Sequence, residues 1–158
     1  MEEALFRPMT KADLPAVAEM EQICFRSPWT LNMLKGELKN KLAHYHVLEL
    51  GGNIIAYAGM WVLFEEAHIT NVAVSPEHRR MGHGRRIMLE SMRAAVKLHA
   101  TQMTLEVRET NFAAQALYES LGFQMAGRRK KYYTDTGEDA FILWNKDIVK
   151  TIESLHAC

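Results

Sequence analysis

Thr70-Asn71-Val72-Ala73-Val74-Ser75-Pro76-Glu77-His78-Arg79-Arg80-Met81-Gly82-His83-Gly84-Arg85-Arg86-Ile87-Met88 reads as a strand, a loop and the start of a helix. Ile69 to Val74 is rich in β-branched residues, and Ser75-Pro76 stops the strand because proline fixes its own φ and has no N–H for a ladder. Gly82 and Gly84 lie just ahead of a helical pattern in which Met88, Met92, Ala95 and Val96 share one face. A helix N-terminus offers unpaired N–H groups and the positive end of the macrodipole, so a phosphate or pyrophosphate is its natural guest. Arg79, Arg80, Arg85 and Arg86 add charge around it. The alternative is a tight turn that needed two glycines, with solvated arginines on an exposed helix end. There is no Gly-Lys-Ser/Thr ending and no Gly-x-Gly-x-x-Gly with an acidic residue downstream, which argues against nucleoside triphosphates and NAD.

At 158 residues the chain fits one α/β domain, long enough to bury about two thirds of its unfolded surface. Lys+Arg and Asp+Glu are both 19, so no global field favours nucleic acid as a partner. Cys24 and Cys158 are far apart and suggest neither a disulfide framework nor a zinc cluster. The opening Met-Glu-Glu-Ala-Leu is not a secretory signal, and no apolar run has the length a bilayer requires, so a cytosolic protein without a membrane partner is expected.

Along the chain, Ala4 to Phe6 reads as a first strand. Thr10 to Asp13 has capping-box spacing ahead of a helix to about Phe25. Thr30 can cap a second helix to about Leu38. Trp29, between the two, suits either a core plug or one wall of a groove. His44 to Leu50 and Ile54 to Leu63 are strand-like, with Gly51-Gly52-Asn53 as a hairpin turn. His44 and His46 share a strand face, but no third ligand has suitable spacing, so no metal is assigned. Glu65-Glu66 read as a connection. Gln102 to Val107 alternates, with Met103, Leu105 and Val107 on one face and Thr104, Glu106 and Arg108 on the other. Thr110 or Asn111 can cap a helix that stops at Gly122. Phe123 to Ala126, Lys130 to Tyr133 and Ala140 to Asn145 read as strands, with Asp135-Thr136-Gly137 as a turn. Arg128-Arg129-Lys130-Lys131 reads as a solvated connection, and residues from about 147 to 158 read as a loose tail.

Arg79-Arg80-Met81-Gly82-His83-Gly84, following a Val-Ala-Val strand, resembles the acyl-coenzyme A loop of the GNAT acetyltransferase superfamily, Arg/Gln-x-x-Gly-x-Gly/Ala. The order of elements matches that family over nearly the whole chain. Leu105-Glu106-Val107-Arg108, Asn111, Ala116 to Phe123 and Tyr132-Tyr133 with Gly137 to Ala140 look like its RimI branch, whose members acetylate the N-terminal alanine of a small-subunit ribosomal protein. The resemblance implies an α/β fold with a mixed central sheet of about seven strands flanked by about four helices. It also implies acetyl-coenzyme A as co-substrate and a protein N-terminus, of a ribosomal protein, as partner.

By the same resemblance Glu106 is the general base and Tyr118 the general acid. Val72, Ala73, Val74, Arg79, Arg80, Met81, Gly82, His83, Gly84 and Arg85 hold the cofactor. Asn111 contacts its pantetheine arm, and Trp29, Tyr132 and Tyr133 line a peptide groove. The chemistry asks for these types independently. An amine must be neutral to attack a thioester, so a carboxylate can take its proton while a tyrosine protonates the leaving thiolate. Taken singly, Glu106 is a charge on a strand and Tyr118 a core aromatic. The rival readings are acetylation of a lysine or small amine, and a coenzyme A-binding module that catalyses nothing.

Overall fold

The computed structural model describes residues 3–156; Cys158 lies outside them. Strands β1 (Leu5–Pro8), β2 (Ala43–Leu50), β3 (Asn53–Leu63), β4 (Glu66–Val74), β5 (Gln102–Arg108), β6 (Gln124–Tyr133) and β7 (Glu138–Asn145) form a seven-stranded mixed sheet in the order β1-β2-β3-β4-β5-β7-β6. The helices are α1 (Leu14–Cys24), α2 (Leu31–Lys39), α3 (His83–Lys97), α4 (Phe112–Ser120) and α5 (Ile148–His156). The residues group into two compact units: those up to 61 together with 70–91, and 62–69 together with 92 onward.

In the first unit, Val17 and Met20 of α1, Leu34 of α2 and Tyr45, Val47 and Tyr57 of β2 and β3 form one apolar cluster. Ala4, Leu48, Ile55, Ala56, Ala58 and Ile87 form another. The β2–β3 hairpin turns through Gly51 and Gly52, whose φ values of 57° and 84° suit glycine. Thr10 precedes a 3₁₀ turn, Lys11–Asp13, that leads into α1. Asp13 accepts the Thr10 N–H at 2.7 Å and is gripped by the two terminal guanidinium nitrogens of Arg7, at 2.7 and 2.8 Å. Hydrogen bonds from Arg7 therefore hold the Asp13 carboxyl down at about 2.

Tyr45 of β2 faces Gly59 of β3 across the ladder. The ring lies against the glycine and its hydroxyl donates to Asn71 Oδ1 at 2.9 Å.

In the second unit, β5 pairs in parallel with β4 from Glu66↔Gln102 to His68↔Thr104, and antiparallel with β7 from Met103↔Asn145 to Arg108↔Ala140. Met103, Leu105 and Val107 are buried, and the residues alternating with them are half-buried, as the period-two pattern predicts. Asn111 caps α4 by accepting the Ala114 N–H at 3.2 Å, and Gly122 ends it at φ 87°.

Three expectations need correction. Residues 148–156 are not a loose tail, because α5 runs to His156, and residues 157–158 of the expected tail lie outside the described residues. Asp147 caps it by accepting the Lys150 N–H at 3.1 Å, and Ile148 is fully buried. Buried Asn145 ties the helix down, donating to the Leu121 carbonyl at 2.9 Å and to Thr151 Oγ1 at 2.8 Å. Glu66 belongs to β4, since the ladder to β5 begins with it and only Phe64-Glu65 make the turn. The basic run is no connection. It lies within the edge strand β6, whose register shifts between Arg129 and Tyr133 and whose Lys131 has φ 51°. An edge strand tolerates charge on its open side, and Asp139 of β7 accepts both the Lys131 N–H at 2.9 Å and Arg128 at 3.0 Å.

A Cβ on residue 59 would sit inside the van der Waals boundary of the Tyr45 ring. Gly59→Ala is therefore expected to destabilise the protein by about 1–3 kcal/mol through overpacking. Urea denaturation of the two proteins checks this, with a lowered midpoint as the expected result.

Candidate active site

The glycine loop belongs to the first unit. β4 enters it with Ala73 buried in one apolar cluster while Val72 and Val74 pack against the other. After Pro76–His78 makes one 3₁₀ turn, Arg80 takes φ 63° and Gly82 φ 85°, so the backbone reverses sharply before α3 begins at His83. A left-handed arginine is unusual and Gly82 carries no such penalty. Gly84 differs from Gly82, because it lies in the first turn of α3, where backbone N–H groups have no intrahelical acceptor. Arg79 turns back on the strand, its Nε donating to the Val74 carbonyl at 3.1 Å and its Nη2 to Cys24 Sγ at 3.4 Å. Arg80 and Met81 are exposed, and His83 and Arg85 are half-buried. His83 stands edge-on to His78, centroids 6.3 Å apart. Burial, His78 and Arg86 all push its imidazole pKa down.

Trp29 lies in the same unit. Its backbone N–H donates to buried Glu21 at 2.8 Å, and its half-buried ring packs against the apolar cluster around Leu34. Burial pushes the Glu21 carboxyl up against that hydrogen bond.

Glu106, Tyr118, Asn111, Tyr132 and Tyr133 belong to the second unit. Glu106 projects from the polar face of β5 with a side chain only 12 % exposed. Its Oε2 is 2.7 Å from His68 Nε2, and its Oε1 is 3.7 Å from Arg129 Nε. Burial drives the carboxyl up, but the His68 hydrogen bond, the His68 charge and Arg129 outweigh it and leave the pKa below the ordinary glutamate value. Tyr118 is buried on α4, edge-on to Phe123 with centroids 5.8 Å apart, and burial raises its phenol to about 12. Tyr133 lies close enough to Glu106 and Tyr118 for their charges to act on it, and burial raises it too to about 12. Tyr132 stands edge-on to Tyr133 at 5.1 Å and is exposed. Asn111 is exposed, and its Oδ1 accepts the Ala114 N–H of the α4 cap.

Two neighbours of this face escaped sequence reasoning. His68 carries no motif, and its role rests on the β4–β5 register, which no local pattern encodes. Arg108 reads only as a charge on a strand. It grips both carboxylate oxygens of Asp135, at 3.1 and 2.9 Å, while its guanidinium lies 4.0 Å from the Tyr133 ring centroid. It thus fixes the β6–β7 turn and Tyr133 at once. Among the described residues no group of His, Cys, Asp and Glu side chains has the geometry to hold a metal ion, and no helix is long and apolar enough to cross a membrane.

The chain matches the acetyltransferase (GNAT) family over residues 14–123. A putative [ribosomal protein bS18]-alanine N-acetyltransferase of Bacillus subtilis is 41 % identical over 142 residues, which are 89 % of this chain and 94 % of the relative. The [ribosomal protein bS18]-alanine N-acetyltransferase of Escherichia coli is 36 % identical over 83 % of this chain and 89 % of the relative. The crystal structure of the ribosomal-protein-S18-alanine N-acetyltransferase from Escherichia coli superposes with a TM-score of 0.83 at 34 % identity, covering 90 % of this chain and 92 % of that one. A strand-loop-helix with a glycine at the helix start, a carboxylate on the polar face of β5 and a buried tyrosine on α4 thus occur in a chain that belongs to the GNAT family of acetyltransferases.

Proposed function

We propose that this acetyltransferase moves the acetyl group of acetyl-coenzyme A to the α-amine of an N-terminal alanine, that of a small-subunit ribosomal protein corresponding to bS18. The observation that carries the chemistry is the opposite setting of two side chains in one unit. Glu106 is held below the usual carboxylate range, and Tyr118 is raised to about 12. At neutral pH the first is an ionised acceptor and the second a protonated donor, a pair whose environments push their proton affinities apart. The substrate class follows the names of the relatives in Bacillus subtilis and Escherichia coli.

Acetyl transfer then needs no covalent enzyme intermediate. Glu106, through a water, takes a proton from the amine, whose nitrogen attacks the acetyl carbonyl carbon. The C–N bond forms, the C–S bond breaks, and the thiolate leaves with the proton of Tyr118. The pyrophosphate of the cofactor suits the N-terminal turn of α3, with its glycine at 84 and the basic residues before and after it. The family resemblance assigns the backbone of Val72 to Val74, in the first unit, to the cofactor, and separately assigns Asn111, in the second, to its pantetheine arm. In the second unit Tyr132 and Tyr133 offer aromatic surface to the peptide, which binds an extended chain at low entropic cost, and the resemblance gives Trp29 of the first unit the same task.

A side chain at position 84 intrudes where backbone must meet the pyrophosphate, so Gly84→Asp is expected to weaken acetyl-coenzyme A binding severely in a folded protein. Titration calorimetry is the check, and wild-type affinity removes the loop from the cofactor site. Tyr118→Phe keeps the ring against Phe123 but deletes the proton. It is expected to lower kcat by about 10²–10⁴-fold with cofactor affinity spared, and an unchanged kcat in stopped assays excludes Tyr118 as the acid.

The amine itself supplies a further test. An α-amine has a pKa of about 7.7–8.0 and a lysine about 10.4, so freeing the nucleophile at neutral pH costs roughly 1 kcal/mol for the first and 4–5 for the second. A peptide with a free N-terminal alanine is expected to outrun the same sequence N-terminally blocked and bearing an internal lysine. The reverse order of kcat/KM refutes the N-terminal assignment.

A further inference from the structure

We infer that His68 is a positioning residue for Glu106. Its Nε2–H fixes one carboxylate oxygen and keeps the other turned, ionised, toward the attacking amine. This rests on the reading of Glu106 as the base and adds to it the group that makes a buried carboxylate serviceable.

The geometry is specific. His68 is the last residue of β4 paired with β5, opposite Thr104, and Glu106 lies two residues further along β5 on the same face. The contact from Nε2 to Oε2 is 2.7 Å, at the short end of the range for a charge-assisted hydrogen bond. A carboxylate can only accept, so the ring nitrogen that faces it carries the proton. The imidazole is 38 % exposed and the carboxylate 12 %. The carboxylate, with little of its surface open to water, has the imidazole as its hydrogen-bond donor on that side.

The other groups that face Glu106 do not substitute for His68. Arg129 of β6 reaches only to 3.7 Å of Oε1, beyond hydrogen-bond length, and its side chain is 57 % exposed, so its field is weakened by solvent. Tyr133 of β6 and Tyr118 of α4 are held protonated by burial and carry no positive charge. Ile142, opposite Glu106 on β7, is apolar. Burial alone pushes a carboxyl up, and His68 supplies the largest opposing contribution. Without His68, Glu106 holds its proton to higher pH, and a protonated glutamic acid cannot take one from an amine. The sign of the effect follows: the loss is greatest on the acid side and fades as rising pH ionises the carboxyl again.

The test is kcat/KM from pH 5.5 to 9.5 for a peptide with N-terminal alanine, each variant taken as a ratio to wild type so that ionisation of the peptide common to both cancels. His68→Ala is expected to lose about 10–100-fold at pH 6 and to approach wild type at pH 9, with acetyl-coenzyme A affinity unchanged. His68→Gln, whose amide can donate the same hydrogen bond, is expected to recover most of that loss. A pH-independent defect in His68→Ala, or no defect, overturns the inference. So does a His68→Gln variant that stays as impaired as His68→Ala while remaining folded by thermal melting. Glu106→Gln separates the two levels. Wild-type activity in it refutes Glu106 as base, whereas a large loss there beside an undisturbed His68→Ala refutes only the role of His68.

Discussion

The parallel ladder between β4 and β5 ends at His68↔Thr104, and the polar face of the second unit depends on that register. Because side chains alternate along a strand, a slip of one residue would turn Glu106 into the core and leave Leu105 on the polar face. The antiparallel ladder to β7, six residue pairs long, prevents the slip. Thr104, Glu106 and Arg108 are thereby held in a row. Thr104 bonds to the Leu143 carbonyl, Glu106 meets His68, and Arg108 grips the β6–β7 turn. Backbone register thus sets the electrostatics of a carboxylate that has little contact with water.

Much of this was legible in the sequence wherever the signal is local. The Val-Ala-Val strand, its stop at Ser75-Pro76, Gly82 just ahead of α3 and the alternation of β5 each depend on neighbouring residues. So does the capped helix from Asn111 to Gly122. The polar face of β5 was legible as residue types, because Thr104, Glu106 and Arg108 alternate with Met103, Leu105 and Val107. The partner that decides the state of Glu106 was not, since His68 lies 38 residues away and meets it only through strand register.

The misread segments differ in cause. The Arg128 to Lys131 run looks like loop material because its charges balance against Asp139, Glu109 and Glu106, which come later and earlier in the chain. The last helix was legible too, since Ile148, Val149, Ile152 and Leu155 of Ile148–His156 recur at helical spacing, and reading it as a tail overlooked that pattern. What holds it is the buried amide of Asn145, bonded to α4's final turn and to Thr151. A polar side chain satisfied on both sides in the core fixes an element as firmly as a large apolar contact does.

Gly59 beneath the ring of Tyr45 has a consequence for how this chain can diverge. The two positions lie 14 apart in sequence but occupy one volume, and Tyr45 spends its hydroxyl on Asn71 of the next strand but one in the chain. A residue with a Cβ at position 59 is compatible only with a smaller partner at 45, and a smaller partner at 45 leaves Asn71 without its donor. Positions 45, 59 and 71 should therefore change together among descendants of this sequence, with single exchanges rare and paired or triple ones tolerated. The signature would be covariation between β2, β3 and β4 that carries no information about the substrate.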